Sequence, residues 1–221
     1  MIDFQKLDGV IFDLDGTLVD SMWVWEQIDI DFLGRRGFEV PDDYLEAITP
    51  MGYEACADYT INRFGLKETR ENIIKEWFLM AIDAYANDVS LKPGALDFIR
   101  YLHNKGIKMS VATASDMELV IPVLKHNEIL QYFDNITTVR EAKRGKGFPD
   151  IYNISADKMG AERKNCAVFE DIAEGLLGAK MGGYKTVGVY DKRTRKTVEE
   201  LSELCDMFIY DFKECMETDR V

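Results

Sequence analysis

The chain has 221 residues, 47% hydrophobic and 30% charged, a balance that suits a packed globular fold and is too apolar for a disordered one. Its 27 basic and 40 acidic residues leave a formal charge of -13, which repels nucleic-acid backbones and anionic lipid surfaces. Nucleic acid and membrane are therefore not expected as partners, and any anionic ligand needs a local basic cluster or a bound cation to reverse the field at its site.

No segment approaches the roughly 18 apolar residues of a membrane span, and the start, MIDFQKLDGVIF, lacks a basic stretch followed by a long apolar run. Cys56, Cys166, Cys205 and Cys215 are scattered without a CxxC pair, as reduced thiols are. A cytoplasmic protein, monomeric, is the expectation.

The first apolar run, residues 9–14, predicts a strand that ends in Phe12-Asp13-Leu14-Asp15-Gly16-Thr17-Leu18. Alternate residues of an extended chain point the same way, so Asp13 and Asp15 can converge on one site, with Gly16 allowing a tight turn behind them. Two turn-forming aspartates would give the same string. From 19 to 90 no strand pattern occurs; helical periodicity at 22–36 and 69–86 predicts a helical insertion, with hinges at 19–21 and 90–93. In it Trp77, Phe78 and Met80 follow core spacing, while Trp23 and Trp25 lie just past the first hinge, where a substrate-facing role is as reasonable as a packing one.

Pro93-Gly94 opens the helix that resumes the main domain, and further strands are predicted at 107–112, 135–139, 166–169, 185–189 and 207–209. Strands alternating with helices imply crossover connections, hence an α/β fold: a Rossmann-like doubly wound parallel sheet with an inserted α-helical cap domain. The predicted division is 1–18 with 91–221 for the core and 19–90 for the cap. His103 and His126 fall in polar helical stretches and are expected to face solvent.

Two further strand ends and one loop carry polar chemistry. Thr113 and Ala114 follow the second strand, where a hydroxyl and a backbone N–H can hold a phosphate oxygen, with Ser115 or Asp116 capping the next helix. Lys146 sits in the glycine-flanked basic loop Arg144-Gly145-Lys146-Gly147, ahead of a helix beginning near Pro149; it can supply the positive charge that the whole chain lacks, or simply be solvated. Glu170 and Asp171 end the fourth strand, and such hard oxygen donors suit magnesium, although Asp171 could equally cap a helix.

Together, in this order and spacing, these elements resemble the motifs of the haloacid dehalogenase-like phosphatases, in the subgroup with a helical cap that includes phosphoglycolate phosphatases and β-phosphoglucomutases. The resemblance spans roughly residues 8–190, and FDLDGTL with FED is its most specific part. It implies a magnesium-dependent phosphatase of a small phosphorylated metabolite. Asp13 would be the nucleophile and a metal ligand. Asp15 would be the general acid and base, with its carbonyl on the metal. Leu14, Thr113, Ala114 and Lys146 would hold the phosphoryl oxygens. Asp171 would be a metal ligand and Glu170 an outer or alternate one. Two departures stand out. The family loop usually reads Lys-Pro where this chain has Lys146-Gly147. The phosphoglucomutases also carry a histidine where Trp25 stands and an arginine that the stretch Met51-Gly52-Tyr53-Glu54 lacks, which disfavours mutase activity. Dehalogenases lack the second aspartate, receiver domains lack the insertion, and a silent regulator would not need the full acidic and basic set.

Overall fold

The computed structural model describes residues 2–49, 51–194 and 196–217. Six strands form one sheet: β1 (Gly9–Phe12), β2 (Lys108–Thr113), β3 (Asn135–Thr138), β4 (Cys166–Glu170), β5 (Lys185–Val189) and β6 (Met207–Ile209). Their order is β3-β2-β1-β4-β5-β6, and every neighbouring pair is parallel. All six carboxyl ends therefore share one edge. The chain winds outward from β1 in one direction through β2 and β3, and from β4 in the other through β5 and β6, so β1 and β4 flank the switch point where such sheets open a crevice.

All six predicted strands are present, the last two with the predicted bounds and the others with ends moved by one or two residues. The first stops at Phe12 rather than residue 14, because the Leu14 carbonyl accepts from the N–H groups of both Leu18 and Val19 and curls the chain off the sheet. The third stops at Thr138, whose side chain joins Glu141 in a capping box that starts a short turn.

The chain divides into two compact units, Met1–Met22 with Val89–Val221, and Trp23–Asp88. The second is helical: α1 (Val24–Gly34), α2 (Tyr44–Ile48), α3 (Tyr53–Phe64) and α4 (Arg70–Asn87). Periodicity revealed α1 and α4, and α2 and α3 fill the span between. Phe32 meets Trp77 edge to face at 5.4 Å, and Arg36 lies over the Phe32 ring while pairing with Glu68 and Glu76 at 2.7 and 2.6 Å. Of the three expected core residues of α4, Trp77 is buried, but Phe78 and Met80 are only half-buried, since their positions turn away from the Ile73–Trp77–Ala81 stripe.

In the first unit the remaining helices are α5 (Ala95–Asn104), α6 (Met117–His126), α7 (Asp150–Met159), α8 (Ala173–Met181), α9 (Val198–Ser202) and α10 (Glu214–Glu217). Parallel strands covered on both faces bury every residue, and β1 and β4 are buried throughout. One face carries the rings of Phe4, Phe12, Phe98, Phe169 and Phe212, with Phe12 stacked on Phe169 at 5.0 Å. The other packs Ile11, Ala112 and Val168 against Tyr152, Ala156 and Met159 of α7. The larger aliphatic and phenylalanine side chains among these contribute about 1.5–3 kcal/mol each on burial.

The two segments flanking the helical unit run side by side. Val19 bridges Leu91 antiparallel, Asp20 N–H donates to the Ser90 carbonyl at 2.9 Å, and Lys92 N–H donates to that of Leu18 at 2.9 Å. Gly94, with φ at +73°, precedes α5; a Cβ there would run into the Asp211 carboxylate. His103 and His126 are exposed, and the four cysteines are unbridged. Among the described residues no helix is long and apolar enough to cross a membrane.

Candidate active site

Asp13 follows β1 and is 5% exposed; its N–H donates to the Phe169 carbonyl at 3.0 Å, which locks it to β4 across the switch point. Behind it Gly16 adopts φ +79°, and a Cβ there would press on the Asp171 carboxylate, so the turn and the close approach both require glycine. Thr17 in the same turn points its hydroxyl at Asp13 Oδ2 and Asp171 Oδ1, at 3.1 and 3.0 Å, its single proton serving one carboxylate at a time.

Lys146 enters from the loop before α7. Its Nζ donates to Asp13 Oδ1 and, at 2.8 Å, to Glu170 Oε1. The loop itself lies hard against α8, where a Cβ on Gly178 would overlap the Lys146 carbonyl oxygen. Tyr152 on α7 donates to the same Glu170 oxygen at 2.7 Å. Glu170 Oε2 is buried with no hydrogen-bond partner.

Asp15 is held differently. Ser21 Oγ donates to its Oδ1 and Ser115 Oγ to its Oδ2, both at 2.6 Å. Its carboxylate is thus turned to the hydroxyl side of the site, apart from the buried acidic group of Asp13, Glu170 and Asp171, whose ligand atoms lie within 4.8 Å of one another. Thr113 is buried and accepts from the Ser115 N–H at 2.9 Å, keeping its own proton for another acceptor. Ala114 is exposed on the strand end beside it, and the Leu14 N–H faces the Asp13 carboxylate.

Of the two residues expected to cap α6, Asp116 does hold the N-cap, though its side chain makes no capping bond, and Ser115 spends its hydroxyl on Asp15. Asp171 does not cap α8, where Ile172 holds that position; its carboxylate takes Thr17 instead. Thr17, Ser21, Ser115 and Tyr152 were not foreseen as site residues. Thr17 stood inside the FDLDGTL motif, but nothing local marks a hinge serine or a helical tyrosine as reaching a strand end.

Electrostatics favour a cation here. Burial drives the Asp13 carboxyl above the ordinary range against the opposing pull of Lys146, pushes Glu170 up to about 7 with Asp13 adding to it, and raises Asp171 with Asp13 and Glu170 adding. Burial works against the Lys146 charge, yet Asp13 and Glu170 outweigh it and hold the ammonium above its usual value. Burial, with Glu170 next, keeps the Tyr152 phenol protonated. Three buried carboxylates face one ammonium, and one carboxylate oxygen has no donor. Magnesium, which takes one or two carboxylates and keeps other positions for water or phosphate, fits that donor set.

A doubly wound parallel sheet with a buried aspartate, an ammonium and an acidic group at its switch point places the chain in the Rossmann-like α/β class. The sequence profile of the haloacid dehalogenase-like hydrolases matches residues 10–189, and the chain belongs to that family. It is 28% identical over 190 residues to hexitol phosphatase A of Escherichia coli, covering 84% of each chain. It is 25% identical over 213 residues to a Drosophila melanogaster protein named a probable pseudouridine-5'-phosphatase, covering 91% of this chain and 92% of that one. Its fold is shared with CbbY of Rhodobacter sphaeroides, solved in complex with phosphate, at a TM-score of 0.73 and 22% identity over 94% of this chain and 96% of that one.

Proposed function

We propose that the protein is a magnesium-dependent phosphatase that hydrolyses a small phosphorylated metabolite, with a sugar or polyol phosphate the first class to try. The carrying observation is the bond from Lys146 to the buried Asp13 carboxylate, beside an acidic group short of positive charge. The family and the named phosphatases among its relatives support the same reading.

In the mechanism the Asp13 carboxylate attacks phosphorus and the ester P–O bond breaks. Asp15 gives its proton to the departing alkoxide, leaving an aspartyl-phosphate on Asp13. Asp15 then takes a proton from water, the water oxygen attacks phosphorus, and the bond to Asp13 breaks to release inorganic phosphate and restore the carboxylate. Lys146, the Thr113 hydroxyl and the N–H groups of Leu14 and Ala114 hold the phosphoryl oxygens, where charge gathers in a loose transition state. Asp13, Glu170 and Asp171, with the Asp15 carbonyl, would hold magnesium, whose charge offsets that of the phosphoryl oxygens.

The division of labour belongs to the proposal: the sheet unit does the chemistry, and the helical unit, through Trp23 or Trp25, selects the organic portion. The protein would act as a cytoplasmic monomer. The test is phosphate release from purified protein across phosphorylated sugars, polyols, nucleotides and glycolate phosphate. Chelation should stop release and magnesium restore it, with calcium a poor substitute because of its looser shell. Undiminished release after exhaustive chelation removes the metal from the reading, and no release from any ester refutes it.

A further inference from the structure

Lys146 stands between Gly145 and Gly147, so its own backbone does little to aim a long, flexible side chain. Its ammonium is nevertheless fixed at Asp13 Oδ1 and Glu170 Oε1. A glutamate is itself a flexible anchor, and its terminal carboxylate torsion is broad. What stops it is Tyr152, whose ring is buried on α7 among Ile11, Val168 and Tyr184 and whose hydroxyl donates to that same Oε1 at 2.7 Å. Two donors on one oxygen leave Oε2 without any. Without the phenol, Glu170 could turn to offer both oxygens to the ammonium and draw it off Asp13.

Core packing alone does not account for the hydroxyl. A phenylalanine would fill the ring's space and bury no polar group, and the sheet face asks nothing more of residue 152. The phenol instead meets a carboxylate that already has an ammonium.

We propose that Tyr152 is the positioning residue for Lys146: acting through Glu170 Oε1, it fixes the ammonium beside Asp13 and so sets how the phosphoryl group is held. The inference rests on the preceding assignment of Asp13 and Lys146 to phosphoryl transfer. It separates the ring, which serves stability, from the hydroxyl, which serves turnover.

The test uses Tyr152→Phe with Tyr184→Phe as control, since the Tyr184 hydroxyl lies in the same cluster but donates to Asn153 Oδ1 at 3.0 Å. With a chromogenic aryl phosphate as probe, Tyr152→Phe should lower kcat about 10-fold, as loss of a hydrogen bond to a charged group does, with a smaller change in KM and an unchanged fold. Tyr184→Phe should match wild type. On a Lys146→Ala background Tyr152→Phe should add no further loss, because the two act through one contact. Independently of turnover, the metal-free protein should show a slowly exchanging Lys146 ammonium signal in 15N spectra, assigned by its absence in Lys146→Ala. That signal should shift or broaden in Tyr152→Phe but not in Tyr184→Phe. A Tyr152→Phe enzyme within twofold of wild type, equal losses in both phenylalanine variants, or full additivity with Lys146→Ala overturns the proposal. If the wild type itself hydrolyses no ester, the phosphatase reading fails, and the ammonium signal alone decides: unchanged in Tyr152→Phe, it refutes the positioning role.

Discussion

Ser115 Oγ lies 2.6 Å from Asp15 Oδ2, joining residues a hundred positions apart in the chain. With Ser21 on the other oxygen, the carboxylate assigned to proton transfer is gripped at both ends. Ser115→Ala removes one donor without altering any backbone contact, so kcat should fall roughly 10-fold or more while KM moves less, and Ser115→Thr should recover part of it. Steady-state kinetics on the three proteins check this. A wild-type kcat in the alanine variant would show that the grip has no part in turnover.

Asp13→Asn replaces the proposed nucleophile and metal ligand by an amide of the same shape, and turnover should drop to background. The fold should persist, because burial already disfavours the charged carboxylate at this position. Circular dichroism and phosphate release together give the answer, and appreciable activity in the folded variant removes Asp13 from its role.

Gly178→Ala should be harmful for a reason opposite to helix propensity. Alanine in α8 would ordinarily favour the helix by about 1 kcal/mol. Its methyl group would overlap the Lys146 carbonyl, a backbone atom that cannot move without re-aiming the lysine. A net destabilisation of about 1–3 kcal/mol, with reduced kcat, is expected from melting and kinetics. Gly183→Ala, at a glycine whose added Cβ meets nothing, tests the contrast on stability alone; its φ of +81° makes it a strain control, destabilising without loss of kcat.

The helical unit contains a buried acid of its own. Asp29 is 8% exposed, and burial raises its pKa to about 7, with the Tyr44 hydroxyl opposing and Glu26 adding. A carboxyl raised in the fold is protonated there while still ionised in the unfolded chain, so stability falls as pH rises from about 4 to about 7 and then levels off. Asp29→Asn abolishes that titration. The variant should match wild type near pH 4 and exceed it above pH 7 by an amount on the order of 2–4 kcal/mol. Denaturant melts of both proteins at pH 4, 6 and 8 give the difference, and a constant offset would exclude a titrating Asp29.

The proposed hydrolysis rather than mutase chemistry can be tested at the residues opposite the family's mutase positions. Trp25, where a histidine would stand, packs against Tyr53 at 5.5 Å, and Met51-Gly52-Tyr53-Glu54 supplies no arginine. With β-glucose 1-phosphate, inorganic phosphate should accumulate without glucose 6-phosphate; rapid isomerisation primed by a sugar bisphosphate would reverse this ranking.

The sheet was legible because each strand is an apolar run between turn residues, and buried parallel strands leave no polar alternation to confuse the pattern. Asp13, Glu170 and Asp171 were legible for a related reason: they lie at strand ends, and in a parallel sheet those ends share one edge; Lys146 was legible instead as the lysine of a glycine-flanked basic loop before a helix. The hydroxyls were not. Ser21 and Ser115 read as a hinge residue and a helix cap, both common local uses of serine, and only the long-range approach of two loops assigns them to Asp15. Tyr152 carried no signal in the sequence, since the direction of its O–H depends on where β4 ends. Chain ends of strands also shifted, because a carbonyl such as that of Leu14 can serve two N–H groups in a turn only after the turn exists.

The pairing of residue 19 with residue 91 has a consequence for how such a chain can change. The helical unit departs and returns at neighbouring points, so its sixty-odd residues are spliced into the sheet unit much as a cassette is inserted into a frame. Replacing 23–88 by a short glycine-rich link should leave the sheet unit's hydrogen-bonded ends undisturbed, and a different helical unit could be grafted at the same two points. Under the proposed division of labour, phosphoryl chemistry and the choice of ester would then be free to diversify separately, one in the frame and the other in the cassette.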